Sequence, residues 1–148
     1  KELEPTQIIV SLGGNNSAIG EYGKHHKSME RYHRRHTLPL MRKLKEASKV
    51  VVWFGPAHRW SSVKGKKRKK VKRGRILTSR ILRECAKQTQ IKYFSMLNWV
   101  SKDDRLKGLT PKEIRYDGVH YKNKGKNKTA TWYAETIAQK IRRVYSEI

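Results

Sequence analysis

Acidic residues are scarce in this chain. Its 148 residues hold 12 Asp and Glu against 36 Lys and Arg, a formal charge of +24 at pH 7. A small soluble domain is well served by a net charge of about 2–8. An excess this large repels itself and attracts polyanions. It favours contact with nucleic acid, another phosphate-rich polymer, an anionic surface or an acidic protein, without choosing among them. Cysteine is almost absent too. Cys85 stands alone, which excludes an internal disulfide and leaves the redox compartment open. It shares a predicted helix face with Ile81 and Leu82, the ordinary place of a buried structural thiol. No apolar run approaches the roughly 18 residues of a membrane span. A secretory signal is also missing. The chain begins at Lys1 rather than Met, which fits removal of an upstream segment, so that missing signal carries little weight.

What is present suits one domain. The length matches a single core, and 36% of the residues are hydrophobic. Four Trp and seven Tyr supply large amphipathic side chains for that core or for a binding surface. Gln7 to Leu12 is a short β-branched run that ends at Gly13-Gly14-Asn15-Asn16, which reads as a buried strand entering a tight loop. Residues 17–36 read as a polar loop followed by a basic helix. A second helix is expected from Leu38 to Ser48, with Pro39 in its first turn and Leu40, Met41 and Leu44 as its apolar face.

Val50 to Phe54 is continuously apolar and is stopped by Gly55-Pro56, the pattern of a parallel strand covered on both faces. Residues 61–75 read as a basic insertion or loop, and a helix follows from Ile76 to Gln88. Ile91 to Leu97 reads as a third strand. Thr110-Pro111-Lys112-Glu113 matches a capping box with Pro at the first helical position. A last helix spans Thr129 to Tyr145. Its Tyr133, Ile137, Ile141 and Val144 recur at helical spacing, and Ala130, Ala134 and Ala138 are placed to approach the sheet. Strands alternating with helices imply parallel pairing in an α/β fold.

Ligands of an open parallel sheet sit beyond the carboxyl ends of its strands. Three segments fall there: Gly13 to Asn16, Gly55-Pro56-Ala57-His58, and Asp117-Gly118-Val119-His120. An Asn amide can donate to an oxyanion, although Gly and Asn also make ordinary turns. A carboxylate three residues from an imidazole can fix its tautomer and leave the other nitrogen to accept a proton. An uncoupled surface pair is the alternative. His58 either lines the site or packs on Trp60. His25, His26, His33 and His36 lie in a basic stretch without a closed ligand set, so neither a metal nor any other cofactor is expected.

The densest charge runs through Lys64, Lys66, Lys67, Arg68, Lys69, Lys70, Lys72, Arg73 and Arg75. These cations are candidates for polyanion contact. No aromatics interleave them, which argues against base stacking there. A solvated loop or a sorting signal is the other reading.

In their order along the chain, the three rim segments resemble the SGNH (GDSL-type) hydrolase family. Gly13-Gly14-Asn15-Asn16 is similar to its Gly-x-Asn-Asp block. Arg115 to His120 is similar to its Asp-x-x-His block, Val50 to Pro56 to a strand between the two, and Trp132 to Ala138 to its final helix. The resemblance covers nearly the whole chain. It implies a three-layer α/β/α domain with a flavodoxin-like parallel sheet, here lacking the first strands, spanning residues 1–148. It further implies that Asn15 donates to an oxyanion, His120 is the general base and Asp117 orients it.

The family's Gly-Asp-Ser nucleophile block is absent, as is the block with its second oxyanion donor. Neither Ser11 nor Ser17 has the context of a nucleophile. Two functions are therefore expected. One is a serine esterase acting on an acyl ester, carbohydrate or cell-envelope linked by analogy, with its nucleophile from an upstream or partner segment. The other is an inactive scaffold binding nucleic acid or another polyanion, in a virion or ribonucleoprotein. Loss of the nucleophile strand would bare one edge of the strand at residues 7–12. Such edges invite pairing, so an upstream segment, a partner chain or a local element is expected to cover it.

Overall fold

The computed structural model describes residues 5–12, 26–57, 65–114, 121 and 128–146. Its centre is a three-stranded parallel sheet in the order β1 (Gln7–Ser11), β2 (Val50–Phe54), β3 (Lys92–Phe94). Gln7 pairs with Val50 and Ser11 with Phe54, while Val52 pairs with Lys92 and Phe54 with Phe94. The chain is thus mixed α/β with a small parallel sheet and mostly helical content.

β2 explains why helices lie on both faces. Its residues alternate between two cores, as strand side chains must. Val51 and Trp53 join Met29, Met41, Leu82 and Cys85 on one side. Val52 and Phe54 join Met96, Trp99, Leu106, Ile114 and Val144 on the other. The first core is built from α1 (His26–Tyr32), α2 (Leu38–Ala47) and α3 (Gly65–Gln88). The second draws on α4 (Trp99–Lys102), α5 (Pro111–Ile114) and α6 (Thr129–Ser146).

α1 and α2 are joined without a break by a π-helical turn, His33–Thr37. Pro39 accounts for it. In an α-helix its ring would clash with the carbonyl four residues back and its bond would be missing. The wider turn lets the Leu38 amide donate to the His33 carbonyl five residues earlier. Of the expected face of α2, Met41 is buried and Leu44 packs on the core, but Leu40 is 41% exposed and Leu38 is buried instead.

The π turn carries His33 into the core, where it is 1% exposed. Its Nδ1 lies 2.8 Å from the Thr37 hydroxyl, and its Nε2 has no hydrogen-bond partner among the described residues. Burial disfavours the imidazolium and lowers the pKa from 6.5 to about 4. The unfolded chain takes up this proton near 6.5 and the folded chain only near 4. His33 therefore stabilises the fold fully above 6.5, and that contribution falls as pH drops toward 4. The span corresponds to about 3 kcal/mol. Urea titrations at pH 7, 5.5 and 4.5 are expected to show this acid loss, and His33→Gln to flatten it relative to the parent.

Gly55 closes β2 where its amide donates to the Phe94 carbonyl at 2.9 Å. A Cβ there would stand 1.9 Å from the Tyr93 hydroxyl oxygen and 2.6 Å from the ring carbon bearing it. That hydroxyl is 2.8 Å from the Ser79 hydroxyl, so the ring cannot withdraw without breaking a bond to α3. Gly55→Ala is expected to cost about 1–3 kcal/mol, as overpacking does, read as a lowered urea midpoint.

Two expectations for the carboxyl-terminal half hold. In the capping box, the Thr110 amide donates to Glu113 Oε2 at 2.6 Å and the Glu113 amide to Thr110 Oγ1 at 3.3 Å. Tyr133, Ile137, Ile141 and Val144 of α6 pack on the second core. Ala134, by contrast, is exposed, so the alanine row does not run along the sheet. The bulky residues take that face because they bury more apolar area.

Candidate functional site

The basic segment is the first place where the chain departs from its sequence reading. Residues 65–75 are not a loop. They form the first three turns of α3, which runs unbroken to Gln88. Lys and Arg are good helix formers, and extending an anchored helix is far easier than nucleating one. The anchor lies downstream, where Thr78, Ile81, Leu82, Cys85 and Ala86 are buried. Lys66, Lys67, Arg68, Lys69 and Lys70 thus lie on helical backbone, and Lys64 falls outside the described residues.

Lys72 and Arg73 are exposed. Arg75 is different. It is 5% exposed, and its guanidinium donates to the Ala57 carbonyl beyond the end of β2. It serves as a tether between α3 and the sheet rather than as part of the exposed basic surface, because helical geometry turns it inward beside Thr78 and Ser79. The same geometry extends the exposed cations beyond the expected run. Arg73, Arg80, Arg83 and Lys87 are all exposed, at the seven-, three- and four-residue steps that share a helix face. That spacing is present in the sequence, but apolar residues interrupt it, so these cations form no continuous run.

The helix is unusual at its start. No acidic residue occupies its first turn, and its first acid is Glu84. Cations sit where the helix dipole is already positive. Lys66 and Lys70, Arg68 and Lys72, and Lys69 and Arg73 are like charges four residues apart, each such pair costing about 0.2–0.5 kcal/mol. An anion would relieve both effects.

Parallel pairing puts the carboxyl ends of all three strands on one rim. β1 leads there toward Asn15, and β2 into Gly55-Pro56-Ala57. Asn15, Asp117 and His120 lie outside the described residues, as do His58, Trp60, Ser17 and His25. The residues that bracket Asp117 and His120 are described. Ile114 is buried in the core that contains Phe54 and Ala57, and Tyr121 packs on that core. Tyr121 meets Trp99 and Tyr133 at ring separations of 5.1 and 4.6 Å. The Thr129 hydroxyl donates to the Ile114 carbonyl at 3.0 Å, tying the start of α6 to the same place.

The outer edge of β1 is bare among the described residues, where the strand pairs only with β2. Ile8 and Val10 pack on the first core. Ile9 is 45% exposed and Leu12 55%. No local element covers this edge among the described residues.

Cys85 is 2% exposed, and burial pushes its thiol pKa up, which keeps it protonated and unreactive. Among the described residues no group of His, Cys, Asp and Glu is arranged to hold a metal ion. No helix among them is long and apolar enough to cross a membrane. Compared with protein-family models, with curated proteins and with solved structures, the chain gives no match.

Proposed function

We propose that this chain is an α/β scaffold that binds a phosphate-rich polyanion, with nucleic acid as the first candidate, through the amino-terminal half of α3. The observation that carries the reading is a 24-residue helix whose first acid comes only at Glu84, after eight Lys and Arg between residues 66 and 75. Such a helix is poorly balanced alone and better balanced against phosphates. A structural or assembly role beside a genome, in a virion or ribonucleoprotein, suits this chemistry. The contact is to backbone phosphates rather than bases, since no aromatic residue interrupts the run.

The test compares single-stranded RNA, duplex DNA and polyglutamate by fluorescence anisotropy at about 0.1 M salt, alongside far-UV circular dichroism. Binding is expected, with helicity retained as the polymer is added. Failure of all three polymers to bind removes the proposal. Polyglutamate binding as tightly as RNA would show that charge alone, not phosphate, is recognised.

A second reading is favoured by the edge of β1 that is bare among the described residues and by the common rim of strand ends, with Asn15 four residues beyond the end of β1 in sequence. In it the chain is part of an SGNH-like serine esterase, completed by a strand from an upstream segment or another protein that adds to β1 and brings the serine. Asn15 would donate to the oxyanion, His120 would take the serine proton and Asp117 would orient His120. Hydrolysis of model acyl esters by the serine-containing assembly, compared with its His120→Ala variant, tests it. Equal rates would remove His120 as the base.

A further inference from the structure

A second basic feature lies beside the outer edge of β3. There a cleft of about 660 Å³ is lined by Arg83 of α3, Ser95 and Asn98 after β3, Lys102 of α4, and Gln139 and Lys140 of α6. Its volume falls in the range of small-ligand sites, roughly 300–1,000 Å³. It differs from the run on α3, because its cations come from three separate helices.

The two carboxylates in the cleft are already engaged. Asp103 accepts from Arg105 Nε at 2.8 Å, from Arg105 Nη2 at 2.7 Å and from the Trp99 indole at 3.0 Å. The Arg105 guanidinium holds its carboxyl below the usual carboxylate range. Arg105 Nη1 in turn meets Glu135 at 2.5 Å, and Asp104 meets Lys107 at 2.7 Å. Neither carboxylate is left to balance the remaining cations.

Those cations are Arg83, Lys102 and Lys140. Arg83 lies 5.9 Å from the centre of the Tyr93 ring and Lys140 5.2 Å from that of Phe94. A ring face steadies a cation without neutralising it, and the N–H groups remain able to donate. Arg83, Lys102 and Lys140 make no ion pair among the described residues. The same cleft is lined by the neutral side chains of Ser95, Asn98 and Gln139, a chemistry that suits phosphate oxygens and sugar hydroxyls.

We infer that this cleft binds a phosphomonoester of nucleotide size. Three uncompensated cations match a group carrying about −1.5 to −2 charges at pH 7 better than the single charge of a phosphodiester. A free nucleotide and the 5′-phosphorylated end of a nucleic acid strand share this chemistry. The site does not depend on polyanion binding by the start of α3.

The test measures binding of adenosine 5′-monophosphate against adenosine by calorimetry, and of a 5′-phosphorylated RNA oligomer against its 5′-hydroxyl form by anisotropy. At least one phosphorylated probe is expected to bind about tenfold or more tightly than its partner, the scale of one charge-assisted hydrogen bond. Preference for the nucleotide alone identifies a small-molecule site, and preference for the oligomer alone a strand-end site. The triple variant Arg83→Gln, Lys102→Gln, Lys140→Gln is expected to abolish the preference. Gln139→Glu places an acid in the cleft while removing no cation, and is expected to do the same. The control triple Arg42→Gln, Lys43→Gln, Lys49→Gln removes equal charge from exposed positions elsewhere and should retain it. No preference for phosphate in the parent protein, or equal loss in both triples, overturns the inference. Neutralising residues 66–70 tests the α3 proposal separately, since it should weaken RNA binding overall and leave the 5′-phosphate preference intact.

Discussion

Raising the salt concentration from about 50 to about 200 mM is expected to weaken binding of single-stranded RNA by about 3 × 10² to 2 × 10⁴-fold, provided that some 6–10 phosphates are contacted. The effect comes from counterions that the polymer releases when Lys and Arg replace them. α3 carries eight Lys and Arg between residues 66 and 75, of which Arg75 is buried and tied to Ala57 and so is not counted. Lys72 and Arg73 are exposed, and Lys87 lies farther along the face of Arg73, so with the cations at 66–70 a contact of that size is within reach. Changing Lys66, Lys67, Arg68, Lys69 and Lys70 to Gln removes up to five contacts. On single strands this should reduce the slope of log affinity against log salt by roughly 3.5. Arg75→Gln should act differently. It should leave the slope nearly unchanged and lower stability, because it breaks the tether to the Ala57 carbonyl. An unaltered slope in the five-residue variant would show that α3 does not make the contact.

The second large effect is on stability. Phe54→Ala should cost about 3–5 kcal/mol, a major part of the 5–15 kcal/mol typical of a folded domain. Phe54 is fully buried, ends the central strand and stacks on Phe94 with ring centres 5.5 Å apart. It also belongs to the core that holds Ile114 and packs against Tyr121, the two described residues on either side of Asp117 and His120. Its removal should therefore loosen the strand rim as well as the core. Leu40→Ala is the matched control. Leu40 is 41% exposed, and its loss should change stability by about 0.5 kcal/mol or less. Urea denaturation of both variants makes the comparison. A similar cost at the two positions would contradict the assignment of β2 as the centre of the fold.

Much of the architecture was legible along the chain. The apolar runs at residues 7–12 and 50–54 announced two parallel strands, yet only the second is buried on both faces, where no alternation is needed; β1 alternates and leaves Ile9 exposed because its outer face lacks a covering layer among the described residues. The Thr110–Glu113 box and the spacing of Tyr133, Ile137, Ile141 and Val144 announced two helices, because capping and amphipathic period are local properties. The start of α3 was harder to read. Charge density suggested a loop at 61–75, yet the buried turns downstream hold residues 65–75 helical. The join at Pro39 was hidden for a similar reason. Proline ordinarily begins or breaks a helix, and here a π turn absorbs it.

The candidate sites divide along the same line. The excess of positive charge and its concentration near Lys66 to Arg73 are properties of composition, and the sequence by itself determined them. Tertiary packing decided which cations reach solvent, turning Arg75 inward while leaving Arg73, Arg80, Arg83 and Lys87 on one face. It alone brought Arg83, Lys102 and Lys140 to one cleft, from helices whose positions are 57 residues apart at the extremes. It also left the outer edge of β1 unpaired among the described residues. The physical reason is that local sequence sets which conformations are cheap, whereas burial against distant residues sets which side of each element faces water.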